Sequence, residues 1–323
     1  MIKIKRAGGA GLDRRGFLKG TGMAAVAVAA FGSANFALGR NAASRTETVL
    51  EPAAEDGRAT SPKKRRMRKA VMYATLGIKG TVGEKFQALK DAGFEGVEPM
   101  SHMNQEEVLK AFADSGLKAA SVCCSTHWGK PLSDPSAEVR AEGVAGMQQA
   151  LRDAHVYGAS SVLLVPGVAR NGVTFDECWS RSILEIRKLI PLATELGVKI
   201  AIEDVWNDFI TTPQQAAAYL DEIASEQVGW HFDIGNMIKY SPPETWIPVL
   251  GKRILKLHVK EYSKTKIFNV RLLEGDDNWP AIMKALDDVG YEGWGITEQP
   301  DSQTKDVESL KEFSSRLDRV LAS

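Results

Sequence analysis

Four side chains able to hold a cation, Glu203, Asp233, His258 and Glu298, stand 30, 25 and 40 residues apart. Each closes or lies on a short apolar run: IAIE, WHFD, LKLHVK and WGITE. Intervals of that size fit one strand-plus-helix unit, so the pattern predicts four neighbouring parallel strands that bring three carboxylates and an imidazole to one rim. A single carboxylate at a strand end is usually a helix cap or half of an ion pair. Four such groups in succession need another explanation. Three converging carboxylates repel one another and are costly to bury. One divalent cation removes that difficulty. Three oxygens and a nitrogen suit a moderately hard ion, with Mn2+ ahead of Mg2+, Co2+ and Zn2+.

These residues can meet only if the elements carrying them form a common ring. Eight short β-rich runs alternate with helical runs: Ala70–Thr75, Gly96–Pro99, Ala119–Cys124, Ser161–Val165, Lys199–Glu203, Val228–Asp233, Ile254–Lys260 and Gly293–Glu298. Helices are predicted over Thr81–Ala92, Gln105–Ser115, Ala137–Tyr157, Phe175–Leu196, Pro213–Ala224, Pro243–Leu250, Trp279–Val289 and Val307–Leu321. Gly93, Gly116, Gly158, Gly197 and Gly290 follow five of them as stop signals. The strands are apolar on both faces, as in a parallel sheet covered by helices. The body from residue 70 to 323 is close to the ~250 residues of a (β/α)8 TIM barrel, which is the predicted α/β fold. An open doubly wound sheet is the alternative, weakened because no G-x-G-x-x-G follows the first strand.

The 323-residue chain is 44% hydrophobic and 25% charged, an ordinary globular composition. Its net charge is zero, but residues 1–39 hold 6 basic and 1 acidic side chains and residues 40–69 hold 9 and 4, which leaves the body at −10. So acidic a body is a poor partner for nucleic acid. Cys123, Cys124 and Cys178 form no framework, and Cys123 and Cys124 are expected to pack inside the barrel. Residues 1–39 read as an export signal: Arg14-Arg15 precede the mild apolar run Thr21–Phe31, and Ala37-Leu38-Gly39 supplies a small-residue cleavage site near Gly39. The run is too short for a stable membrane anchor. The expected partner is therefore the twin-arginine (Tat) export machinery, and the expected location is the periplasm. Residues 40–69, ending in the basic stretch Lys63–Lys69, read as a flexible linker.

The strand-end constellation resembles the sugar isomerase/epimerase superfamily with a xylose isomerase-like barrel, its ketose 3-epimerase branch in particular. The resemblance covers residues 70–323 and is carried by IAIEDVWN, GWHFDIGNM, LHVKEY, Glu274–Trp279, Gly290–Trp294 and ITEQP. It implies a single metal ion held by Glu203, Asp233, His258 and Glu298, with Glu203 and Glu298 also exchanging protons with a sugar across the site. It implies an isomerase or epimerase working through an enediolate; the predicted periplasmic location and the lack of a phosphate-cradling glycine loop point to an unphosphorylated sugar or keto-sugar, and a homo-oligomer is allowed. The same chemistry admits a second reading, a 3-keto-glycoside or inosose-type lyase or dehydratase. A non-catalytic sugar-binding barrel is a third, disfavoured because binding alone does not require both glutamates. An endonuclease IV-like trinuclear zinc site conflicts with five histidines in the chain and an acidic body.

Many members carry a histidine three residues after the aspartate of the sixth strand. Here that position is Asn236, which can hydrogen-bond a hydroxyl but cannot shuttle a proton at neutral pH. Asn236, Glu98 at the end of the second strand, His127 and Trp128 after the third, Trp206 after the fifth and Lys260 on the seventh are the expected substrate contacts. Lys260 shares a strand face with His258, so it is placed either to bind a substrate oxygen or to neutralise Glu298. His231, on the face of Asp233 but deeper, reads as a core histidine, and His102 and His155 as structural.

Overall fold

The computed structural model describes residues 67–323, except 171, 204, 301 and 302. The export signal and most of the linker therefore lie outside the described residues. No described helix is long and apolar enough to cross a membrane.

Nine strands build one parallel sheet: β1 (Arg68–Met72), β2 (Gly96–Glu98), β3 (Lys118–Ala119), β4 (Val122–Cys123), β5 (Ser161–Leu164), β6 (Lys199–Glu203), β7 (Val228–Asp233), β8 (Ile254–Val259) and β9 (Trp294–Thr297). Their order is β3-β2-β1-β9-β8-β7-β6-β5-β4. The run Ala119–Cys124 was expected to be one strand and is two. β3 pairs with β2, and after Ala120 and Ser121 β4 pairs with β5. The two pieces are halves of one stave. A bridge from Met100 to Cys123 and the bond from Ser101 N–H to the Cys123 carbonyl, at 2.8 Å, complete the ring. The result is an eight-stave TIM barrel.

The first strand also starts earlier than the linker reading placed it. Arg68 pairs with Trp294, its guanidinium 3.8 Å from the centre of that ring, and Lys69 Nζ donates to Ser314 Oγ at 2.8 Å and to Asp318 Oδ2 at 2.9 Å. Charge gave these residues a linker signature, but their aliphatic stems cover the barrel base.

Around the ring lie the helices α1 (Val82–Asp91), α2 (Gln105–Ser115), α3 (Ala137–Tyr157), α4 (Phe175–Leu196), α5 (Pro213–Ile223), α6 (Ile234–Met237), α7 (Pro243–Leu250), α8 (Trp279–Asp288) and α9 (Val307–Leu321). Side-chain caps set most of their starts; Thr81, Thr174, Thr212 and Asp306 each close a capping box. Alternation along each strand separates two environments. Val71, Val97, Ile200, Ile202, Trp230, Phe232, Leu257 and Val259 point outward into the main core under the helices. Ala70, Met72, Cys123, Leu163 and Ile296 point inward and form a small apolar plug. The same inward parity carries Glu98, Glu203, His231, Asp233, Lys256 and His258, so the upper barrel is lined with charge.

Candidate metal centre

Glu203 is the last residue of β6, Asp233 the last of β7, His258 the last but one of β8, and Glu298 follows β9. These four strands are consecutive in the sheet. One ligand atom from each side chain lies within 4.8 Å of the others, and all four residues are buried. His258 is the hub: its Nδ1 stands 2.9 Å from Glu203 Oε1, 3.2 Å from Glu298 Oε2 and 3.7 Å from Asp233 Oδ2. Ligands bonded to one ion at about 2.1 Å lie roughly 3.0–3.4 Å apart, so these separations fit a shared cation.

The charge balance agrees. Glu98, Glu203, Asp233 and Glu298 face two ammonium groups, Lys260 above and Lys256 below. Lys260 Nζ lies 2.7 Å from both Asp233 Oδ2 and Glu298 Oε2 and donates to Asn236 Oδ1 at 3.2 Å. Lys256 Nζ donates to Ser160 Oγ at 2.8 Å; burial lowers its pKa to about 8, against the opposing pull of Glu98. Four carboxylates against two ammoniums leave an acidic surplus that a bound cation, or a protonated His258 in its absence, offsets. For His258, burial alone would lower the pKa, but Glu298 and Glu98, with the carboxylates of Asp233 and Glu203, hold it well above the usual imidazole value.

The expected substrate contacts divide. Glu98 is fully buried, its Oε2 2.9 Å from His258 Nε2. Asn236 is hydrogen-bonded within the cluster. Asp233 caps α6, so its Oδ1 accepts from Asn236 N–H at 2.9 Å while Asn236 Nδ2 donates to Asp233 Oδ2 at 2.9 Å. Aspartate followed by asparagine three residues later at a helix start was the sequence signal for this arrangement. Gly235 between them is required by packing, because a Cβ there would stand 2.6 Å from the Lys260 carbonyl oxygen.

Of Lys260's two expected roles, the structure places it against Glu298. His127 is buried, its Nδ1 accepting from Val165 N–H at 3.3 Å, and its ring meets Trp128 edge-on at 5.4 Å. Trp206 Nε1 donates to the Asn236 carbonyl at 2.8 Å, which holds the indole beside the centre.

Several neighbours were not anticipated. His231 is not merely a core residue: its ring stands edge-on to that of His258 at 4.2 Å, with Nδ1 3.9 Å from Glu98 Oε1. Phe268 lies 4.9 Å from Trp206 and 4.7 Å from the Lys260 ammonium, and Tyr262 joins the group at 6.1 Å from Trp206. No spacing rule points to Phe268 or Tyr262, since both lie on the loop after β8. That loop is tied down by Glu261, which accepts from Leu273 N–H at 2.6 Å, Asp277 N–H at 3.2 Å and Trp279 Nε1 at 2.7 Å. Gly275 fits there because any side chain would collide with the Tyr262 carbonyl oxygen. Cys123 and Cys124 are buried in the barrel wall as expected, and burial raises the Cys124 thiol above its ordinary value.

The profile of the xylose isomerase-like TIM barrel family matches residues 86–318. The chain belongs to that family. Among curated proteins it is similar to an uncharacterised protein of Methanocaldococcus jannaschii, 24% identical over 191 residues, which are 54% of this chain and 63% of that protein. It is also similar to an L-ribulose-5-phosphate 3-epimerase of Salmonella paratyphi A, 22% identical over 224 residues, 65% of this chain and 79% of that enzyme. Similar solved structures include D-psicose 3-epimerase of Clostridium cellulolyticum H10 with D-tagatose (TM-score 0.67, 19% identity, 79% of this chain and 98% of that one). Another is 3-keto-D-glucoside 4-epimerase of E. coli (TM-score 0.68, 18% identity, 80% and 100%). At these identities the solved structures speak for the shared barrel.

Proposed function

We propose that this member of the family is a metal-dependent sugar isomerase or epimerase that moves a proton at the carbon beside a carbonyl. The observation that carries the reading is the convergence of Glu203, Asp233, His258 and Glu298 on one buried point. A divalent ion bound there supplies electrophilic stabilisation to the oxygen that gains charge as the C–H bond breaks. Everything else is assigned to the chain. Glu203 and Glu298 come from strands separated by β7 and β8, so they flank the site from opposite sides. One glutamate takes the proton from carbon as general base, and the other returns a proton to the opposite face, inverting the centre. Lys260 holds the Glu298 carboxylate in place, and Trp206 with Phe268 forms an apolar wall suited to a sugar ring.

The epimerase names of the curated and structural relatives support this class, and they include a phosphorylated ketose, a free ketose and a keto-glycoside. The twin-arginine segment supports action outside the cytoplasm, and so an unphosphorylated sugar or keto-sugar. The donor set favours Mn2+. Incubation of the Mn2+-loaded protein with ketoses and 3-keto-glycosides in deuterated water should introduce deuterium at the carbon next to the carbonyl. Glu203→Gln and Glu298→Gln should each reduce that exchange by at least about 100-fold. Exchange that survives in both variants would rule out the two-glutamate assignment.

A further inference from the structure

Glu98 is a fully buried acid on β2, outside the four-donor centre, and the proton transfer above gives it no task. β2 stands three staves from β8, so its carboxylate reaches His258 across the barrel rather than along a local turn. We infer that Glu98 is the positioning residue of His258: it accepts a hydrogen bond from Nε2–H, which keeps the proton on that nitrogen and aims the Nδ1 lone pair at the ion. The inference rests on the metal reading of the preceding section.

The two imidazole nitrogens have different surroundings. Nδ1 faces Glu203, Asp233 and Glu298, the groups that would share an ion, whereas Nε2 faces Glu98 Oε2 at 2.9 Å. A ligating imidazole keeps a single proton, and that proton must sit on the nitrogen away from the metal. In a fully buried site the remaining N–H needs an acceptor, and a carboxylate at hydrogen-bond distance is the strongest one available. The edge-on ring of His231, 4.2 Å away, limits rotation of the same imidazole. Glu98, His231 and His258 also lie close enough to hold an ion of their own. A second ion there would require His258 to give up both protons and bridge two metals, whereas a 2.9 Å N–H···O contact requires neither.

The test uses the full chain stripped of metal with a chelator. Co2+ is titrated by visible absorption into the wild type, Glu98→Gln and Glu98→Leu. The Zn2+-loaded proteins, labelled with 15N-histidine, are examined by NMR. One ion per chain is expected in each. Glu98→Leu should bind it 10- to 100-fold more weakly, about the usual cost of losing such a partner, while Glu98→Gln, which keeps an acceptor oxygen, should stay within a few-fold. The wild-type spectrum should show a metal-bound Nδ1 and a proton on Nε2, and the Nε2–H resonance should move upfield in Glu98→Gln. If Glu98→Leu does not fold, the wild-type and Gln spectra decide the matter alone. Affinity in the Leu variant within twofold of wild type, zinc on Nε2, or two ions in wild type falling to one in Glu98→Leu each overturn the inference while leaving the metal centre standing. A wild type that binds no ion overturns both.

Discussion

At the residue scale, Lys260 is the group whose charge and geometry pull in different directions. Its ammonium touches the two carboxylate oxygens, Asp233 Oδ2 and Glu298 Oε2, that an ion would also use. It therefore stabilises the cluster without metal and competes with metal electrostatically. Replacing it by methionine keeps most of the volume and removes the charge. Breaking a buried ion pair from one side costs about 3–5 kcal/mol. Lys260→Met should lower the unfolding midpoint of the chelated protein, and it should raise Mn2+ affinity because one cation fewer repels the ion. Thermal unfolding with chelator and a Mn2+ titration read the two effects separately. If affinity falls together with stability, Lys260 shapes the centre rather than balancing its charge. The convergence of Glu203, Asp233, His258 and Glu298 was legible in the sequence because each closes or lies on an apolar strand and strand parity is rigid. The Glu98–His258 bond was not, because it joins residues 160 apart across the barrel and no local pattern encodes it. Asn236 was singled out as a site residue, but its bonds to Asp233, which caps the helix it sits on, were not foreseen.

At the scale of the element, the loop from Glu261 to Asn278 shows motifs in the sequence but not the contacts that fold it. Its motif residues stand out, but not what holds them: Glu261 is buried and accepts hydrogen bonds from Leu273 N–H, Asp277 N–H and Trp279 Nε1. The loop also depends on pH. Burial, with Glu261 close by, pushes the Asp277 carboxyl from its usual 3.8 up to about 9, although the Tyr262 N–H that it accepts at 2.7 Å pulls the other way. Between those two values the folded chain holds a proton that the unfolded chain has lost. Stability must then fall as pH rises through that window, by at most roughly 1.4 kcal/mol per pH unit, and level off above about 9. Asp277→Asn mimics the protonated form, since its amide oxygen can still accept from Tyr262. The variant should unfold at a higher temperature than wild type, by a margin that widens from pH 6 to pH 9. Parallel midpoints over that range would show that Asp277 does not carry its proton at neutral pH.

The whole molecule was the most legible level, because strand–helix alternation and glycine stops repeat often enough to average out local error. The exception is the third stave: Ala119–Cys124 reads as one apolar run, and only pairing with neighbours on both sides reveals the break at Ala120 and Ser121. Barrel closure also decides what the metal does for stability. The proposed ligands come from β6, β7, β8 and beyond β9, and the Glu98–His258 contact adds β2, so an ion bound there would tie together five of the eight staves. An ion that binds only the folded ring stabilises the entire ring. At a free concentration a thousandfold above its dissociation constant, the gain is about 4 kcal/mol. For a barrel of this length each kcal/mol is worth roughly 2–4 °C, so Mn2+ should raise the unfolding midpoint of the chelated protein by about 8–16 °C. The seven tryptophans of the chain include Trp230 on β7 and Trp294 on β9, so fluorescence reports on opposite flanks of the centre, and far-ultraviolet circular dichroism reports on the helices. Both signals should move together by the same amount. A midpoint that shifts in fluorescence and stays fixed in circular dichroism would mean that the ion orders the rim alone and does not clamp the barrel.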